Sequence, residues 1–162
     1  MENNKKLIQD MFDEVSARTG MPRIELADDD SAALPFGDGL LLYIHYRGEM
    51  PEVDFTVPIG SVPAKKKAYV YERLLSANFY WVGTHGATLS YQLDLDEIII
   101  QYREDAVHLN TERLQSVLEG FLSVAMKWKE MLAKFIEEAD EEDAEHDHAA
   151  GHGHDDVVLF EA

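Results

Sequence analysis

Histidine and carboxylate side chains crowd the end of the chain, where they could bind a metal ion. The histidines are interspersed with aspartate and glutamate, and they are His146, His148, His152 and His154. Imidazole and carboxylate groups are plausible ligands for Zn²⁺ or Ni²⁺. Because the chain contains no cysteine, a thiolate site and a disulfide framework are both excluded. These four histidines are candidate metal ligands, and the alternative is a solvated acidic tail that keeps the protein soluble.

The other three histidines do not predict catalysis. His45, His85 and His108 are scattered along the chain, and no nucleophile signature accompanies them. The glycine-rich segment 83–86 lacks the G-x-x-x-x-G-K-[ST] pattern of a phosphate-binding loop and precedes a predicted strand. Asp94 and Asp96 are explained by a turn. We therefore expect no catalytic residue and no cofactor, and we expect that the protein is not an enzyme.

The charge of the chain restricts its partners. The formal net charge is −18, and the segment 137–162 holds eleven acidic residues and no lysine or arginine. Removing those eleven charges leaves −7 for the rest of the chain. An acidic surface repels phosphate backbones and anionic lipids, which need clustered lysine and arginine. On this ground we expect neither nucleic acid nor a membrane as partner, and we expect a basic or apolar polypeptide.

The composition divides the chain in two. Residues 1–136 have the apolar content of a single folded domain, whereas residues 137–162 are acidic, rich in histidine and too polar to bury a core. We expect this tail to be disordered. The sequence contains no run of eighteen apolar residues, and its first residues do not resemble a signal peptide. These features predict a soluble protein that stays in the cytoplasm.

Apolar periodicity predicts three helices and five strands. Helical spacing predicts helices over residues 5–18 and 63–78 and a long last helix from Asn110 or Thr111. Two-residue alternation predicts strands at 32–36, 40–46, 53–59, 87–93 and 97–103. Pro58 indicates that the third strand ends at a sheet edge or lacks a ladder partner there. The order α-β-β-β-α-β-β-α predicts an α+β sandwich, with a twisted antiparallel sheet packed against the first and last helices.

The second predicted strand is apolar on both sides. Leu40, Leu42, Ile44 and Tyr46 alternate with Leu41, Tyr43 and His45. Two helices supply cover for one face of a sheet, so the remaining apolar surface needs a partner.

A family resemblance appears in three segments of the chain. The helix end Leu74-Leu-Ser-Ala-Asn78, the corner from Gly83 to Leu89 and the strand Ile98-Ile-Ile-Gln-Tyr102 resemble class I type III secretion chaperones of the Tir chaperone (CesT-like) family. The resemblance extends from about Lys6 to about Phe135 through the order of the elements. It implies a homodimer formed through the middle helix and the strand after the glycine bend. Carried onto this chain, that interface consists of Ala68, Tyr71, Leu75, Asn78, Phe79, Trp81, Leu89 and Tyr91.

The resemblance also implies a function in bacterial type III secretion. Such a chaperone would bind the N-terminal region of a secreted effector in a non-globular form, through main-chain pairing at a sheet edge and apolar grooves. It would thereby keep the effector soluble and competent for export. We expect the groove to consist of Met11, Leu26, Leu34, Phe36, Leu41, Tyr43, Phe55 and Val57. The alternative function is metal binding through the tail.

Overall fold

The computed structural model describes residues 2–37 and 39–150, with side chains described for residues 4–37 and 39–141. The elements follow the predicted order, so the α+β architecture is confirmed. The helices are α1 (Glu2–Thr19), α2 (Lys67–Ala77) and α3 (Thr111–Ala150), and the strands are β1 (Ser31–Phe36), β2 (Leu40–Arg47), β3 (Glu52–Gly60), β4 (Thr88–Gln92) and β5 (Glu97–Asp105). Short 3₁₀ turns at Ala64–Lys66 and Phe79–Trp81 flank α2.

The five strands form one antiparallel sheet in the order β1-β2-β3-β5-β4. The β4–β5 hairpin folds back so that β5 pairs with β3, which leaves β4 at one edge and β1 at the other. β2, β3 and β5 are therefore interior strands, and each has a face toward the helices and a face away from them.

The core lies between the sheet and the helical layer. One alternating set of each interior strand is buried, for example Leu42 in β2 and Phe55 in β3. Phe12 of α1 and Leu118 of α3 close this core from the helical side. Helix α3 packs on β3 and contacts both α1 and α2. The other face of the sheet, called the open face below, carries the partly exposed sets of all five strands.

Pro58 does not lie at a sheet edge, but the other predicted alternative, that it lacks a ladder partner, agrees with the structure on the side toward β2. β3 lies between β2 and β5, and Pro58 is aligned with Ile99 of β5. The strand tolerates the missing N–H because the register shifts between Pro58 and Gly60, and because pairing with β2 extends only as far as Thr56.

Helix α3 continues through the predicted boundary at residue 136 and is described as far as Ala150. Ala139 is buried, and Glu138 and Asp140 contact residues near and in α2. The disordered segment predicted to begin at residue 137 is thus helical as far as Ala150. The separation of residues 137–162 as a distinct tail stays a prediction.

Among the described residues, no helix combines the length and the apolar character that crossing a membrane requires.

Candidate functional site

An exposed apolar surface follows the end of α2. We call Leu75 together with residues 79–82 the corner surface. Its side chains are between 53% and 78% exposed, and they are Leu75, Phe79, Tyr80, Trp81 and Val82. Large apolar side chains grouped in this way mark a surface that another molecule covers. The sequence predicted Leu75, Phe79 and Trp81 for the dimer interface. Tyr80 and Val82 lie in the same apolar run and were not among the predicted interface residues.

The backbone of the corner holds these rings outward. Tyr80 and Trp81 both have φ of 53°, a left-handed conformation that bulky residues rarely adopt. The Trp81 carbonyl accepts hydrogen bonds from the N–H groups of Thr84 and Gly86, both at 3.3 Å. Trp128 of α3 donates its indole N–H to the Gly83 carbonyl at 3.2 Å. These bonds fix a strained turn, so the exposure of its aromatic rings is built into the fold.

Asn78 joins the corner to the edge of the sheet. Its side-chain amide accepts a hydrogen bond from the Leu89 N–H and donates one to the Leu89 carbonyl, each at 2.9 Å. Both backbone groups of Leu89 therefore point away from β5, toward the free side of β4, and both are occupied. The predicted interface residue Asn78 thus seals part of the β4 edge, and a second chain cannot add a strand at that point.

A shallow apolar groove lies between α2 and β4. Residues lining it include the predicted interface residues Tyr71, Leu75, Leu89 and Tyr91. The Tyr71 and Tyr91 rings are 5.3 Å apart, and the Tyr71 hydroxyl is buried without a hydrogen-bond partner in the described part of the chain. Burial raises the pKa of Tyr71. The remaining predicted residue, Ala68, is exposed near the start of α2.

Lys67 and Asp96 tie the tip of the β4–β5 hairpin to α2. Lys67 Nζ lies 2.5 Å from Asp96 Oδ1 and donates to the Tyr91 hydroxyl at 3.2 Å. The Tyr91 hydroxyl in turn donates to Asp96 at 2.7 Å. The bond from Lys67 lowers the pKa of Asp96, and the Asp96 carboxylate raises the pKa of Lys67. Lys67 therefore has structural partners at the tip of the hairpin.

The predicted groove residues lie on two different faces. Five of the eight are buried on the helical side, and they are Met11, Leu26, Leu34, Phe55 and Val57. The prediction that these five line an open groove is wrong, because they fill the core between sheet and helices. Phe36 points to the same side and is partly buried. Only Leu41 and Tyr43 lie on the open face.

The open face has an apolar end and a charged end. Register places Pro35 beside Leu41, and Ala33 beside Tyr43. Tyr43 is 45% exposed, and a cavity at this end is lined by Leu41, Tyr43 and Pro58. At the other end, the Asp54 carboxylate forms ion pairs with Arg47 at 2.8 Å and with Arg103 at 2.7 Å. The apolar end thus lies next to the edge strand β1, and the charged end holds the three interior strands together.

The outer edge of β1 offers unpaired backbone groups. The Tyr46 N–H donates to the Asp30 carbonyl, on the side of β2, whereas the Ala27 N–H donates to the Ser31 carbonyl on the opposite side. The backbone N–H and carbonyl groups of the odd-numbered residues of β1 therefore point away from β2. Asp29 and Ala27 satisfy both backbone groups of Ser31. Ala33 keeps an outward N–H and carbonyl, and Pro35 keeps an outward carbonyl but has no N–H. Among the described residues, no partner occupies these three groups.

The metal alternative has no support in the described part of the chain, which contains no cluster of three or more histidine, aspartate or glutamate side chains arranged to bind an ion. The side chains of His146, His148, His152 and His154 lie outside the described residues.

The fold and these surfaces define an α+β domain with unpaired apolar surface and an open strand edge, features through which proteins associate with other polypeptides. The chain belongs to the Tir chaperone (CesT) family, whose model matches residues 11–129. The family predicted from the three sequence segments is confirmed.

Solved structures share the fold. In the ExsC–ExsE complex, the matched chain is 16% identical with a TM-score of 0.68, and the match covers 79% of this chain and 95% of that one. In the HopA1–SchA chaperone–effector complex, the matched chain is 13% identical with a TM-score of 0.66, and the coverages are 80% and 98%. A chain of the heterodimeric ExoU–SpcU complex, from the type III secretion system of Pseudomonas aeruginosa, is 19% identical with a TM-score of 0.58, covering 76% and 95%. No curated protein sequence matches the chain.

Proposed function

We propose that this protein is a type III secretion chaperone that binds the N-terminal region of an effector in an extended form and keeps it soluble for export. Membership of the Tir chaperone family supports this function. The structures of similar fold include one described as a chaperone–effector complex and one from a type III secretion system. The protein works in the bacterial cytoplasm, before export of its client.

The observation that carries the proposal is the open edge of β1 beside the apolar end of the open face. A client strand receives one donor and one acceptor from Ala33 and one acceptor from Pro35. Its side chains on the open face lie next to Leu41 and Tyr43. The other edge of the sheet is blocked at Leu89 by Asn78, so client pairing belongs at β1.

A second copy of the chain covers the corner surface in this proposal. Leu75, Phe79 and Trp81 supply the exposed apolar contacts, and the groove between α2 and β4 receives side chains of the partner. Because Asn78 occupies both backbone groups of Leu89, the two copies contact each other through side chains and do not form a sheet that continues across the dimer.

Co-expression tests the function directly. The chain is produced together with roughly the first 100 residues of the protein encoded by the adjacent reading frame. The same experiment is then repeated with other candidate effectors. We expect one segment to co-purify and one continuous stretch of it to resist a protease that digests the free segment. The proposal fails if the candidates bind only as folded domains or if none binds.

A further inference from the structure

The C-terminal part of α3 contacts the start of α2 through residues that lie beyond the matched family region. That region ends at residue 129, whereas the contacts come from residues 138–140. Ala139, between the two contacting carboxylates, is only 4% exposed.

Two carboxylates flank Ala139 and both have cationic or hydroxyl partners. Asp140 Oδ2 lies 2.5 Å from Lys66 Nζ, and the Lys66 side chain is 14% exposed. Glu138 Oε2 accepts a hydrogen bond from the Tyr69 hydroxyl at 3.2 Å and lies 3.8 Å from Arg73 Nε. The Arg73 guanidinium stacks on the Tyr69 ring with 3.3 Å between its carbon and the ring centre.

These partners lie along one side of the middle helix. Lys66 immediately precedes α2, and Tyr69 and Arg73 follow it at helical spacing. On the adjoining side of α2, Val70 and Leu74 are buried in the core. Helix α2 is therefore held by apolar contacts on one side and by the acidic end of α3 on the next.

We propose that Glu138 and Asp140 are positioning residues: they hold α2, and through α2 they set the position of the corner surface that its end carries. The mechanism is direct, because Leu75 of the corner surface lies on α2 itself and the C-terminal capping residue of α2, Asn78, immediately precedes Phe79. The effect on dimer assembly rests on the proposed function, whereas the effect on α2 does not.

Hydrogen exchange on the full chain tests the effect on α2. The double variant Glu138→Gln/Asp140→Asn removes both negative charges without changing shape. We expect amides of residues 67–77 to exchange about threefold to tenfold faster, since partly exposed ion pairs contribute modestly, while β2 and β3 keep their rates. The matched control, Glu137→Gln/Glu141→Gln, removes two neighbouring exposed charges and should leave α2 unchanged. Equal exchange of α2 in the two variants would overturn the proposal.

A charge exchange separates a specific contact from general loss of charge. Lys66→Glu and Asp140→Lys should each speed exchange of α2, and the variant carrying both should return it toward the wild-type rate. The acceleration should also shrink at about 1 M salt, where the screening length is about 3 Å. Failure of the combined variant to recover would contradict a direct Lys66–Asp140 pairing.

The link to assembly is measured on the same variants by the concentration dependence of their mass in solution. We expect Glu138→Gln/Asp140→Asn to weaken the dimer about fivefold and the control to leave it unchanged. Faster exchange in α2 with unaltered dimer affinity would overturn the positioning of the corner surface, and it would leave the proposed chaperone function intact.

Discussion

Asn78 closes the β4 edge of the sheet by bonding both backbone groups of Leu89 through one side-chain amide. The amide takes the place that a neighbouring strand would occupy. It also joins the end of α2 to β4, so the corner surface is fixed to the sheet at this contact.

Replacing Asn78 tests this closure. Asn78→Ala leaves the Leu89 N–H and carbonyl without partners in a partly buried site, so we expect a loss of ~1–3 kcal/mol in the free energy of unfolding. Asn78→Asp keeps an acceptor but no donor, and should be intermediate. Urea titration measures the loss, and amide exchange at Leu89 locates it. Asn4→Ala, at an exposed position of α1, is the control. A neutral Asn78→Ala variant would contradict the closure.

The two faces of the sheet predict opposite effects for two aromatic residues. Phe55 is fully buried with its ring 6.2 Å from that of Phe121, so Phe55→Ala should cost ~3–5 kcal/mol of unfolding free energy. Tyr43 is on the open face, so Tyr43→Ala should cost little stability and should weaken client binding. Thermal unfolding and co-purification measure the two effects. Destabilisation by Tyr43→Ala comparable to that of Phe55→Ala would show that the face assignment is wrong.

A charged residue in the corner surface should disrupt the dimer. Leu75 is 70% exposed in the single chain, so Leu75→Lys leaves the fold intact and places an unpaired charge in the proposed interface. We expect a monomer at concentrations where the wild-type chain is dimeric, as measured by light scattering. Met50→Lys changes a similarly exposed apolar residue in the β2–β3 turn and should remain dimeric. Identical masses for both variants would exclude the corner surface as the interface.

Acid should release the hairpin tip from α2. The bond from Lys67 lowers the pKa of Asp96 below its ordinary value of 3.8. The ion pair therefore stabilises the fold fully above pH 3.8, and this stabilisation is lost as the pH falls through the lowered pKa of Asp96. The Asp96 carboxyl signal, followed by nuclear magnetic resonance across a pH titration, should show this lowered pKa. Lys67→Met should return it toward the ordinary value. An unchanged Asp96 pKa in that variant would contradict the pairing.

The order of elements was predictable because apolar periodicity and turn residues are local properties of the sequence. The choice of groove face was not, since alternation defines two sets of side chains without showing which set the helices cover. Phe55 and Val57 were assigned to the wrong set for that reason. Likewise, the helix beyond residue 136 has partners in Lys66 and Tyr69, about 70 residues earlier, and these contacts arise only in the folded chain. The left-handed turn at Tyr80 and Trp81 lacks the usual glycine signal.

The proposed chaperone function is tested most directly by the mass of the purified complex between the chain and an N-terminal effector segment. Light scattering should give two copies of this chain and one segment, with the segment lacking a cooperative unfolding transition of its own. Ala33→Pro, which removes the outward N–H of β1, should weaken that complex, whereas Ala33→Ser should preserve it. A monomeric chain that binds no segment, or binds it equally well after Ala33→Pro, would contradict the account.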